Sequence, residues 1–135
     1  MANALYDKGR QGFLDGSIDW DTDDIRVILI DTDDYTVDLA VHDNLDDIPG
    51  AARVKVSGAL TAKTVTDGVA DAADVVLSAV TGDECEALVI YKHTGVESTS
   101  RLIAYIDSAT GLPVTPSGED ITIQWDDGAN KIFKL

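Results

Sequence analysis

Residues 87–106 read ALVIYKHTGVESTSRLIAYI. Two apolar runs rich in β-branched and aromatic residues, Ala87–Lys92 and Arg101–Ile106, flank a loop of small polar residues with one glycine, HTGVESTS at 93–100. This pattern predicts two strands joined as a hairpin. IRVILI at 25–30 is a continuous β-branched run bounded by aspartates, which predicts a central buried strand.

Working outward, Arg53–Val56 alternates and reads as a short strand, and Val75–Val80 as another. Ile121–Trp125 places Ile121, Ile123 and Trp125 on one face and Thr122 and Gln124 on the other. Asp126-Asp127-Gly128 marks a turn, and Lys131–Leu135 returns as the last strand. Gly58 and Gly68 punctuate a polar stretch, and residues 111–118, with two prolines, read as an ordered loop or edge segment. His42–Ile48 forms a helical turn stopped by Pro49 and Gly50. About seven short strands at regular spacing, with no alternating long helices and no repeat of 20 to 50 residues, predict a mainly β fold: an antiparallel β-sandwich or barrel.

Ahead of the first strand, Asn3 is placed to cap a short helix running to about Leu14, with Ala4, Leu5 and Phe13 as its apolar contacts. Gly9 and Gly12 each weaken that helix by about 1 kcal/mol relative to Ala, so it needs packing against a body or a neighbour. Residues 1–24 therefore read as an acidic N-terminal arm and residues 25–135 as a single β-rich domain.

A chain of 135 residues with 44% hydrophobic residues is long enough to bury one core. Its charge is unusual. There are 25 acidic and 10 basic residues, a formal net charge of -15. Residues 1–50 carry thirteen Asp and no Glu against Lys8, Arg10 and Arg26, whereas residues 51–135 carry twelve acids against seven bases. The first third is the acidic pole. Such a surface repels nucleic acid and anionic membranes and favours basic proteins and cations. The N-terminus lacks the apolar core of a secretory leader, and no stretch approaches 18 apolar residues. Assembly in a cytoplasm is the expectation.

Cys85 is the only cysteine and stands between Glu84 and Glu86, which disfavour a thiolate. His42 and His93 read as exposed loop residues. Gly58–Thr64 (GALTAKT) has the outline of a phosphate loop, without the glycine before Lys63 or a strand-to-helix setting. No catalytic set and no cofactor are expected. Asp19, Asp21 and Asp23 have the spacing of the first ligands of a calcium loop, but Asp24 stands where the turn glycine belongs and Ile30 where the bidentate Glu belongs. Asp31, Asp33 and Asp34 lie beyond the intervening strand, roughly 20 Å from Asp24 at about 3.3 Å per residue, too far to share one ion with it. The three earlier aspartates are weak metal candidates. Trp20, Trp125, Tyr91, Tyr105 and Phe133 read as core or interface anchors. Leu5, Tyr6, Phe13 and Trp20 are the apolar candidates for partner contact. Lys131 and Lys134 form a small basic end against which a neighbour's acidic pole docks.

ALYDKGRQGFLDGSIDWDTDDIRVILID at 4–31, LDDIPGAARV at 45–54, SGAL at 57–60, KTVTDGVADAADV at 63–75, ALVIYKHTG at 87–95, SRLIAYIDSATGLPVTP at 100–116 and ITIQWDDGANKIFKL at 121–135 together resemble a family of small virion structural proteins of tailed bacteriophages. The resemblance runs from end to end and carries no chemical motif. It implies a non-enzymatic capsid cement or decoration protein of the virion. Its partners would be the major capsid protein and further copies of itself, for example as a trimer. A tail- or appendage-associated protein is the alternative within the family. An acidic cation- or ligand-binding module is the alternative outside it.

Overall fold

The computed structural model describes residues 3–109, 111–129 and 131–135; residues 1 and 2 of the expected arm lie outside it. The fold is mainly β and antiparallel, with a short helix near the N-terminus. In chain order the elements are β1 (Ala4–Leu5), α1 (Asp7–Asp15), β2 (Ile25–Ile30), β3 (Arg53–Val56), β4 (Thr64–Thr66), β5 (Val69–Asp71), β6 (Val75–Leu77), β7 (Ala87–Lys92), β8 (Leu102–Ile106), β9 (Ile121–Ile123) and β10 (Phe133–Lys134).

The main sheet has the order β1-β8-β7-β2-β3. β2 lies inside it, paired with β7 from Ile25↔Lys92 through Ile30↔Ala87. The 87–106 hairpin forms as expected, from Leu88↔Ile106 to Tyr91↔Leu102 with a bulge after Ile90.

Both faces of this sheet are buried, which explains why β2 is continuously apolar although its neighbours are antiparallel. On one face Ile25, Val27 and Leu29 pack with Leu88, Ile90 and Ile103. That face is covered by two small sheets, β10-β5-β4 and β6-β9, which supply Ala70, Leu77 and Ile123, so the arrangement is sandwich-like. On the other face Ile28 and Ile30 pack with Val89, Tyr91, Leu102 and Tyr105. The cover there is the irregular segment 31–52, through Tyr35, Leu45, Ile48 and Ala52.

The N-terminal segment departs from the expected arm. Ala4 and Leu5 are extended and pair with Tyr105 and Ala104, so the helix begins only at Asp7, with Tyr6 at its cap position. Asn3 does not cap it. Its side-chain amide donates to the Ser108 carbonyl at 3.0 Å, and its oxygen accepts from the Asp107 and Ser108 N–H groups. Ile18 and Trp20 join the core. Residues 3–20 are thus woven into the β body. Gly9 lets the helix seat on it: an added Cβ would stand 2.8 Å from the Leu102 carbonyl oxygen and 2.9 Å from Ile103 Cα.

The polar stretch between Gly58 and Gly68 also departs from expectation, because it holds β4 and leads into β5. Asp67 and Gly68 both have positive φ, 52° and 81°, as a two-residue hairpin turn requires. The strands expected at 75–80, 121–125 and 131–135 are each shorter than expected, and the turn expected at 42–48 is a 3-10 turn at Leu45–Asp47.

Candidate docking surface

An open cleft of about 260 Å³ lies where the C-terminal end of α1, the β4–β5 hairpin and β10 meet. Phe13, Ile18, Trp20, Val65, Ala70, Phe133 and Leu135 supply its apolar lining, with Asp19 as the one charged side chain and Gly16 and Gly68 at the backbone. Two turns and one long-range strand pairing build it. Gly16, at φ 82°, ends the helix in the left-handed conformation and turns the chain back toward Ile18. The Asp67-Gly68 turn brings β4 and β5 together, and β10 pairs with β5 through Phe133↔Ala70. The aromatic floor is held by ring contacts and one hydrogen bond. Trp20 meets Phe133 edge-on at 5.2 Å, Phe13 meets Phe133 at 5.7 Å, and the Trp20 indole N–H donates to the Asp71 carbonyl at 3.0 Å.

Two of the cleft's lining side chains are also exposed. Val65 is 55% exposed and Leu135 58%, and Leu14, next to Phe13, is 88% exposed. A volume near 260 Å³ is at or below the small end of the roughly 300–1,000 Å³ of small-molecule pockets, and it suits one or two protein side chains.

Of the apolar partner-contact candidates, the structure brings Phe13 and Trp20 into this cleft and leaves Leu5 and Tyr6 elsewhere. Leu5, Tyr6 and Trp20 are buried in the chain's own core, so their bulk stabilises this fold, and Trp20 reaches the cleft only as part of its floor. Lys134 is exposed between Phe133 and Leu135, whereas Lys131 is half-buried. Val65, Gly68 and Leu135 were not named as contact residues from the sequence. The Asp-Gly pair flanked by Thr-Val-Thr and Val-Ala-Asp was the available signal for the hairpin that carries two of them.

The aspartate run does not converge on a point. The carboxyls of Asp19 and Asp21 act on each other, and this interaction lowers Asp19 below the ordinary carboxylate range and raises Asp21 above it. Asp23 turns away. Its carboxylate accepts from the Asp19 N–H at 2.7 Å and pairs with Lys92 Nζ at 3.2 Å. Two other carboxylate trios have oxygens within 4.8 Å of one another: Asp31, Asp34 and Asp83, and Asp43, Asp46 and Asp47. In each, one member serves the local backbone, Asp31 accepting from the Asp33 N–H and Asp47 from the Asp43 N–H.

Cys85 is fully buried, and burial, reinforced first by Glu86, pushes its thiol up to about 11. The histidines are not free loop residues. Nδ1 of His42 lies 2.8 Å from the Tyr35 hydroxyl, and Nδ1 of His93 lies 3.3 Å from the Tyr91 hydroxyl. Among the described residues, no helix is long and apolar enough to cross a membrane.

The sequence matches no protein-family model and no curated protein.

Proposed function

We propose that this chain is a non-enzymatic structural protein of a tailed-phage virion, a capsid cement or decoration protein that binds the major capsid protein and works through surfaces. The observation that supports this reading is the apolar cleft with an aromatic floor, whose lining includes the exposed Val65 and Leu135. On a chain of net charge -15, exposed apolar side chains of this kind suit a contact that is covered in an assembly. A core buried on both faces of one sheet gives the compact body that such a part needs. The end-to-end resemblance supplies the particle class.

Imaging of virions tests it. Many copies on the head are expected, and a few copies on the tail would replace the cement role with a tail or appendage role. Val65→Glu combined with Leu135→Glu tests the surface. Both side chains are more than half exposed, so the variant should fold normally and lose most particle binding. Unchanged binding would remove the cleft from the contact.

A further inference from the structure

The rim of the cleft differs in character from its floor. Asp19 lines it, Asp21 follows Trp20 of the lining and interacts with Asp19, and Asp15 and Asp67 are the chain neighbours of the lining residues Gly16 and Gly68. All four are exposed. The nearby cations are mostly engaged within the fold. Lys92 Nζ donates to the Ser17 carbonyl at 2.7 Å and pairs with Asp23, and Lys63 Nζ donates to the Asp23 carbonyl. Lys134, between the lining residues Phe133 and Leu135, is exposed.

We propose that the cleft binds a segment of a partner protein in which an apolar side chain is flanked by lysine or arginine. The proposal rests on the reading of the cleft as a docking surface and adds the chemistry of its occupant. The apolar side chain fills the floor against Phe13, Trp20 and Phe133. The flanking cations meet the carboxylates of Asp15, Asp19, Asp21 and Asp67. At physiological salt the screening length is about 8 Å, so these rim charges act at contact while the acidic pole as a whole steers the approach. Each exposed pair contributes a factor of about 1.5 to 5 in affinity, so two or three pairs together favour a basic segment by about tenfold.

Three synthetic nine-residue peptides with a central leucine, flanked by lysines, serines or glutamates, test this on the full chain, read by amide chemical shifts of Gly16, Gly68 and Phe133. The lysine peptide is expected to bind about tenfold tighter than the serine peptide at low salt, with the preference shrinking to about threefold or less at 0.5 M NaCl, and the glutamate peptide weakest. Equal binding of all three would leave the docking reading standing and overturn the charge preference, as would tighter binding of the glutamate peptide. No shift at these residues with any peptide would overturn both. A lysine peptide with serine at its centre controls for diffuse attraction: if it matches the leucine peptide, the cleft is not the recognising element and the proposal fails.

Discussion

The Tyr35 hydroxyl lies 2.8 Å from Nδ1 of His42. The Asp38 N–H also points at that nitrogen, at 3.2 Å, so Nδ1 is the acceptor and Tyr35 donates to it. Tyr35 then accepts from the buried Tyr6 hydroxyl at 2.9 Å. This chain of donors runs from the start of α1 through the 31–52 cover to the surface, and desolvation holds both phenols above their ordinary range, Tyr35 up to about 12. Tyr35→Phe strands the buried Tyr6 donor and should destabilise by about 1–3 kcal/mol, whereas Tyr6→Phe removes the donor together with its need and should cost less. Urea midpoints at unchanged slope measure both; equal costs would show that the chain is not directional.

Gly9 reverses the expectation from helix propensity. Alanine in its place favours an isolated helix by about 1 kcal/mol. Here the new Cβ meets the backbone of Leu102 and Ile103 at 2.8–2.9 Å, and a packed backbone cannot yield cheaply. Gly9→Ala should destabilise by about 1–3 kcal/mol, seen as a lower melting temperature. A stabilised variant would show that α1 is not seated on β8.

Cys85 should behave as a chemically silent thiol. It is buried, and its folded thiol is pushed up to about 11, so little thiolate exists at neutral pH. An aromatic disulfide reagent should leave the native protein unmodified over hours and titrate one thiol within minutes in denaturant. Rapid native labelling would contradict the packing around β7.

Acid stability has a readable sign at Asp24. Its hydrogen bonds from Arg26, both 3.0 Å, hold its carboxyl below the ordinary carboxylate range. A folded value depressed below the unfolded value of about 3.9 means that the contribution is complete above that value. It is lost as the pH falls through the folded value. The pair is about one-third exposed, so after solvent screening the effect is about 0.5 kcal/mol. Asp24→Asn should lose stability less steeply than the parent between about pH 4 and pH 2 in parallel denaturation series; identical slopes would show that the pair contributes nothing.

The strands Ile25–Ile30, Ala87–Lys92 and Leu102–Ile106, the antiparallel β class and the short helix were legible in the residues themselves. Apolar periodicity and turn chemistry are local, and a strand of consecutive β-branched residues has few other ways to bury itself. What the residues could not show is which distant segments meet. Leu5, Tyr6 and Trp20 looked like contacts for a partner; all three are buried in the chain's own core, where β1 pairs with a strand about a hundred positions away, and Trp20 also floors the cleft. The cleft joins residues 13–20, 65–70 and 133–135. No local pattern records that proximity; it arises when β10 pairs with β5 and the end of α1 closes over them. The sequence by itself determined an acidic, antiparallel β body. Only tertiary packing decided which apolar side chains that body would consume and which it would leave exposed.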